Sequence, residues 1–142
     1  MRSDLANISK YIPQREPMMM VDTLISHQEN TTKSAFTILA DNILVNQACL
    51  SEAGLLENMA QTAALGKGFE STENNEKPPI GFIGAVKNLC VLRLPQVDER
   101  LETTVVVKHV VLNASIVEAR VKSGGEEIAS CELKIFLNPE ID

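Results

Sequence analysis

One strongly helical segment, residues 51–69, limits the possible folds of this chain more than any other feature. Ser51 is a suitable N-cap, and Glu52 falls in the first turn, where the helix dipole favours a carboxylate. Alanine, leucine and methionine follow, all of them good helix formers. Gly66 and Gly68 predict the end of this helix, since glycine is typical of helix C-termini.

Segments rich in β-branched and other apolar residues predict strands on both sides of the helix. Two precede it, with a turn expected at residues 27–30, and four follow a polar loop at residues 70–79. The six segments are residues 18–26, 31–39, 81–94, 100–112, 115–123 and 126–137. Such an order predicts an α+β fold in which residues 1–142 form a single domain, with the helix across one face of an antiparallel sheet.

Charge and composition argue against several classes of function. The chain has 13 basic and 19 acidic residues, and no dense lysine or arginine cluster, so nucleic-acid binding is not expected. No stretch approaches the ~20 apolar residues of a membrane span, and no signal peptide is recognisable, so we expect a cytoplasmic protein without membrane contact. The 3 cysteines are far apart and form no C-x-x-C pair, which predicts reduced thiols and no metal site.

Four polar side chains of the helix form one narrow stripe, here called the polar stripe: Glu57, Asn58, Gln61 and Thr62. The stripe is either the solvent face of an amphipathic helix or the lining of a pocket or subunit contact. The sequence leaves both interpretations open, although solvent faces usually carry more than one charge. In the second case Glu57 is a candidate general acid or base, and Gln61, one turn on, is placed to hold a water or a substrate oxygen.

The two histidines of the chain are weaker candidates. His27 falls in a predicted turn, and we expect it to be exposed. His109 shares a strand face with Val105 and Val107 in the predicted register, so we expect a partly buried, hydrogen-bonded residue rather than a catalyst.

Three segments together resemble motifs of the 3-hydroxyacyl-acyl carrier protein dehydratases, which have the hotdog fold. Residues 12–22, IPQREPMMMVD, resemble the N-terminal motif of that family, I/L-P-H-R-x-P followed by V-D. Residues 56–61, LENMAQ, resemble its helix motif, L-E-x-M-A-Q. Residues 82–87, FIGAVK, resemble the strand that follows, through Pro95 and Asp98. None of these segments is specific alone, but they occur in the order of the family over most of the chain.

The resemblance implies a hotdog fold, in which a sheet wraps around a central helix and two subunits join their sheets. It implies a homodimer or higher homo-oligomer that takes acyl carrier protein or coenzyme A thioesters, in biosynthesis of the fatty-acid or polyene-lipid type. No cofactor is expected. In the family, a loop histidine acts with a helix carboxylate of the other subunit to remove water from a 3-hydroxyacyl chain. The carboxylate carries over as Glu57, the glutamine as Gln61, and Gly84 becomes a further substrate-binding candidate.

The loop before the helix departs from the family pattern. Residues 41–50, DNILVNQACL, contain neither a histidine nor the family's H-F-P-G-x-P-x-x-P-G signature, and Gln14 stands where the N-terminal motif often has histidine. Asn46 and Gln47 are candidates to orient a substrate, but an amide cannot shuttle a proton as imidazole does. Three functions stay open: an acyl-thioester-binding, dehydratase-like protein, a thioesterase that uses Glu57 alone, and a non-catalytic subunit or scaffold for a partner.

Overall fold

A six-stranded antiparallel sheet covers one long helix in the computed structural model, which describes residues 8–138. The helix α1 spans Glu52–Glu73. The strands in chain order are β1 (Thr23–Gln28), β2 (Thr31–Thr37), β3 (Val45–Asn46), β4 (Cys49–Leu50), β5 (Ile80–Val91), β6 (Arg100–Val111), β7 (Ala114–Ser123) and β8 (Glu126–Asn138). Their order in the large sheet is β1-β2-β6-β7-β8-β5, whereas β3 and β4 form a small separate hairpin. The predicted α+β architecture is confirmed, and β5 lies at an edge of the sheet.

The first strand begins later than the sequence predicts. Residues 18–20 form no strand, and their backbone bonds to the helix instead of to the sheet: Met20 N–H donates to Gln61 Oε1 at 2.7 Å. Strand pairing starts at Thr23, and β1 continues into the predicted turn, which leaves Glu29, with a φ of 57°, and Asn30 to connect β1 and β2. The segment predicted as a loop at residues 41–50 contains the β3–β4 hairpin.

The helix starts as predicted and ends later. Ser51 is the N-cap, and its hydroxyl accepts a hydrogen bond from Gly54 N–H at 3.2 Å. The prediction that Gly66 and Gly68 end the helix was wrong, because α1 continues to Glu73. Both glycines instead allow close approach of another part of the chain. A Cβ at Gly66 would collide with the Thr32 hydroxyl, and one at Gly68 with the backbone carbonyl of Tyr11.

Alanine at position 68 tests this close approach. Gly68→Ala would gain about 1 kcal/mol of helix propensity, whereas overpacking against a backbone carbonyl, which cannot turn away from the added methyl, costs about 3 kcal/mol, the upper end of the usual range. We expect a net loss of about 2 kcal/mol in the free energy of unfolding, measured by urea denaturation. Ser71→Ala, in the same helix, is the control and should stay within about 0.5 kcal/mol of wild type. A Gly68→Ala protein as stable as wild type would contradict the observed packing.

The core lies between α1 and the concave face of the sheet. Leu55 and Met59 of the helix pack against Val117 and Leu133 of β7 and β8. Cys131 Sγ lies 3.7 Å from Met59 Sδ, and burial raises the pKa of this thiol to about 11. Cys131 is therefore neutral near pH 7 and acts as a packing residue. None of the helical structure between residues 8 and 138 has the length and apolar content that crossing a bilayer requires.

Candidate functional site

The polar stripe of α1 is buried at three of its four positions, which are Asn58, Gln61 and Thr62. Asn58, 0% exposed, donates to the Met20 carbonyl at 2.7 Å and accepts from the Thr103 hydroxyl at 2.6 Å. The Thr62 hydroxyl donates to the Asn58 carbonyl at 2.7 Å. These bonds join the helix to the N-terminal segment and to β6. The interpretation of the stripe as a solvent face is therefore wrong for these three residues.

Gln61 holds the carboxylate of Glu57 in place. Its Nε2 donates to Glu57 Oε2 at 2.8 Å and to the Met18 carbonyl at 2.8 Å, while its Oε1 accepts from Met20 N–H. An amide nitrogen has two hydrogens, and both are used here. The geometry thus favours Gln61 as a residue that positions Glu57, and its role as a direct substrate contact stays a prediction.

Glu57, the fourth residue of the stripe, is half-buried and lines a cavity of about 350 Å³ between α1 and the sheet. The helix side of this cavity, here called the Glu57 cavity, consists of Ala60, Ala63 and Ala64, whose small side chains leave the space open. The sheet side is mostly apolar and includes Val117, Ile135 and Leu137. A mostly apolar cavity of this size with few polar groups is typical of a small-ligand site.

The charged residues that line the Glu57 cavity, within the part of the chain that the structure describes, are Glu57 and Lys67. They are ten residues apart on α1, which corresponds to about 15 Å along the helix axis. At such a distance they cannot act on the same carbon atoms of a substrate. Chemistry in this cavity that needs two proton-transferring groups at one bond therefore requires a group beyond the charged residues that the structure places in its wall.

Asn46 and Gln47 are not brought to Glu57 within one protomer. Both are exposed at the tip of the β3–β4 hairpin, and neither lines the Glu57 cavity. Two non-glycine residues of this hairpin, Gln47 and Ala48, have left-handed φ values of 54° and 64°. Such strain costs on the order of 1–3 kcal/mol per residue and persists where the surroundings enforce it. Here the backbone bond from Val97 N–H to the Ala48 carbonyl, 2.9 Å long, fastens the hairpin.

Gly84 lies in β5 at a bulge between Ile83 and Ala85. A Cβ at this position would collide with the Phe136 ring, so the glycine is required by packing across the β5–β8 pair. Its neighbours Phe82 and Ile83 line the Glu57 cavity, whereas Gly84 does not. Substrate binding by Gly84 stays a prediction.

Neither histidine of the chain lines the Glu57 cavity. The prediction that His27 is exposed was wrong, because its Nδ1 bonds with the Thr32 hydroxyl and its Nε2 with Glu70, each at 2.8 Å. These bonds tie the β1–β2 hairpin to the C-terminal part of α1. The prediction that His109 is partly buried was also wrong. A bulge between Val107 and His109 shifts the register of β6, and His109 is exposed.

Three polar residues of the cavity wall were not candidates for the site in the sequence analysis: Gln14, Lys67 and Ser115. The helix side did carry a signal, since alanines at positions 60, 63 and 64 followed by Lys67 occupy one face of α1 at helical spacing. No sequence pattern indicated Ser115, because a single serine is common in a strand of alternating polar and apolar residues.

Comparison with known proteins assigns the family. A family model described as an ApeP dehydratase matches residues 6–142. The chain belongs to this ApeP-like family. The predicted resemblance to the dehydratases and the predicted hotdog fold are thereby confirmed. No curated protein sequence matches the chain. That residues 1–142 form a single domain stays a prediction.

Solved structures agree with the ApeP-like assignment at the level of the fold. A chain of the dehydratase heterocomplex ApeI:P from Xenorhabdus doucetiae superposes with a TM-score of 0.86 at 17% identity, covering 94% of this chain and 91% of that one. A hypothetical thioesterase with coenzyme A from Streptococcus pneumoniae gives 0.65 at 9% identity, covering 84% and 87%. The PaaI protein of Escherichia coli gives 0.62 at 15% identity, covering 80% of each chain. At these identities the likeness concerns the fold alone.

Proposed function

We propose that this ApeP-like chain is an acyl-thioester-binding subunit of a 3-hydroxyacyl dehydratase. It contributes Glu57 and the Glu57 cavity, and a second hotdog subunit supplies the imidazole that completes the site. The observation that carries this proposal is a half-buried carboxylate at an apolar cavity whose described wall contains no histidine. The thioester is carried by acyl carrier protein or coenzyme A, in a pathway of the fatty-acid or polyene-lipid type.

Dehydration needs two proton transfers at neighbouring carbons. A base removes a proton from C2 of the 3-hydroxyacyl thioester, the C2=C3 bond forms, and the C3–O bond breaks. An acid protonates the leaving hydroxyl, so that the products are an enoyl thioester and water. The carboxyl group of Glu57, held by Gln61, is placed to serve as the acid. The base must come from elsewhere, because the amides of Gln14, Asn46 and Gln47 do not accept a proton near pH 7.

The edge strand β5 supports a second subunit beside the cavity. Among the strands of residues 8–138, β5 pairs with β8 alone, and it carries exposed apolar side chains, including Phe82 at 53% exposure. A long apolar edge with unpaired backbone groups is a template for pairing with another chain. Gly81, Phe82 and Ile83 belong both to this edge and to the wall of the Glu57 cavity, so a subunit paired there also covers the cavity.

The identity of the second subunit follows from the missing imidazole. A second copy of this chain would bring another histidine-free loop, whereas a different hotdog dehydratase would bring its own histidine. The solved relative with a TM-score of 0.86 is described as a dehydratase heterocomplex, which supports the mixed assembly. The homodimer predicted from the resemblance remains the alternative assembly.

The proposal is tested by assaying the chain alone and co-purified with a hotdog dehydratase that has the loop histidine. Both samples receive 3-hydroxyacyl and acyl thioesters of coenzyme A and of acyl carrier protein, with products identified by mass. We expect the chain alone to bind thioesters without turnover, and the mixed complex to lose water from the 3-hydroxyacyl substrates. A partner with its loop histidine replaced by alanine is the control and should abolish this product.

Two outcomes would contradict the proposal. Release of free thiol by the chain alone would make it a thioesterase with Glu57 as the base or nucleophile. Absence of any thioester binding, by the chain alone and in the complex, would leave a scaffold role.

A further inference from the structure

Two buried side-chain polar atoms lack a hydrogen-bond partner in the part of the chain that the structure describes: Gln14 Oε1 and Ser115 Oγ. Both residues line the Glu57 cavity. Ser115 is 3% exposed, so its hydroxyl has no contact with bulk solvent. Buried polar groups are nearly always paired in folded proteins, because an unpaired one costs about 1–3 kcal/mol. Two such atoms at one cavity indicate a ligand that supplies their partners.

Ser115 lies at the end of the cavity that is far from Glu57. It shares the inward face of β7 with Val117, so its side chain is directed toward α1 and lines the cavity. The cavity continues at this end into a wider groove of about 660 Å³, and Ser115 and Lys67 line both spaces. The Lys67 ammonium lies 3.8 Å from the Glu70 carboxylate, one helical turn further on, which is long for an ion pair.

We propose that Ser115 and Lys67 form a distal polar subsite for acyl thioesters whose chain carries an oxygen, as a hydroxyl or carbonyl, far from the thioester. The proposal rests on the proposed function and specifies its substrate class. A hydroxyl and an ammonium both donate hydrogen bonds, so one oxygen can accept from each. Between this subsite and Glu57, the cavity wall is formed by alanines of the helix and by valine and isoleucine side chains of the sheet. Such an apolar wall suits an unsubstituted alkyl or alkenyl segment.

The length of the chain follows from the helix geometry. Glu57 and Lys67 are ten residues apart, or about 15 Å along α1. Carbon–carbon bonds of about 1.5 Å in a zigzag chain cover that distance in roughly a dozen bonds. Counted from C3, whose hydroxyl Glu57 protonates in the proposed reaction, about a dozen bonds place the preferred oxygen near C15 of the acyl group. Because the groove beyond Ser115 is open, a longer chain can continue past the subsite.

Binding of two non-hydrolysable pantetheine analogues tests this subsite, one with a pentadecanoyl and one with a 15-hydroxypentadecanoyl group. We expect the mixed complex to bind the hydroxylated analogue about tenfold more tightly, measured by titration calorimetry. Ser115→Ala should remove this preference, so that the two analogues bind with equal dissociation constants. Ser130→Ala, on β8 and outside the cavity wall, is the matched control and should keep the preference.

Two results would contradict the proposed subsite but not the proposed function. Equal affinity of the wild type for both analogues would show that nothing recognises the distal oxygen. If Ser115→Ala weakened the binding of both analogues equally, Ser115 would contact the pantetheine arm rather than the distal part of the acyl chain. A wild-type complex that binds neither analogue would instead contradict the proposed function as well.

Discussion

Glu57→Gln is expected to lower the turnover of 3-hydroxyacyl thioesters by the mixed complex about 100- to 10,000-fold, which is the usual contribution of a general acid or base. Glutamine has nearly the same shape as glutamate, and its side-chain oxygen can still accept the hydrogen bond from Gln61 Nε2 that the carboxylate accepts at 2.8 Å. It cannot give up or take a proton near pH 7. Turnover is measured by mass detection of the enoyl product.

The affinity for a non-reactive acyl-pantetheine analogue separates chemistry from binding in this variant. Because only a proton-transferring group is removed, the dissociation constant should change by less than about threefold. Glu52→Gln is the matched control: Glu52 is in the same helix, is exposed, and is not part of the cavity wall, so its turnover should equal that of wild type. Wild-type turnover in Glu57→Gln would show that the reaction does not use this carboxylate.

The elements of the fold could be predicted from local signals. The N-cap Ser51, the run of helix formers after it and the Gly124-Gly125 pair between β7 and β8 are recognisable without any tertiary contact. Gly66 and Gly68 misled the prediction because glycine has two uses. It ends helices, and it also admits a neighbouring backbone inside a helix, which depends on where Tyr11 and Thr32 lie in the fold.

The candidate site could be predicted only in part. Glu57 was found because its motif is continuous in the chain, and the helical period places Gln61 beside it. Gln61 hydrogen-bonds to Met18, Met20 and Glu57 because the N-terminal segment packs on the helix at this point. The sequence alone does not predict where that segment packs. Ser115 becomes informative only through its missing partner, which is a property of the packed structure.

The separation of Asn46 and Gln47 from Glu57 has a different cause. When two subunits share a site, its motifs all occur along one chain. The residues of those motifs nevertheless meet across the interface between the subunits. In one protomer the β3–β4 hairpin is fastened to residues 95–97 and its tip is exposed. In the proposed assembly, the hairpin of one subunit acts on the Glu57 cavity of another, and pairing at the edge strand β5 completes the site.

Charges on β5 should dissociate this assembly. The double variant Val86→Lys and Leu89→Lys places two ammonium groups on the exposed apolar edge without altering a residue of the cavity wall. A stable interface of standard size buries about 1,600 Å², and desolvating two unpaired charges within it costs several kcal/mol. We expect a shift from dimer or higher oligomer to monomer at micromolar concentration, measured by light scattering after size-exclusion chromatography.

The matched control places the same charges on another exposed apolar pair, Val110→Lys and Val111→Lys. These valines are in β6, three strands away from the β5 edge, so the oligomeric state should not change. Turnover by the mixed complex should fall with the β5 variant and persist with the β6 control, because only β5 joins the cavity to a second subunit. If the β5 variant stayed oligomeric and active, another surface would have to complete the site. In that case the exposed apolar side chains of β5 would need a different explanation.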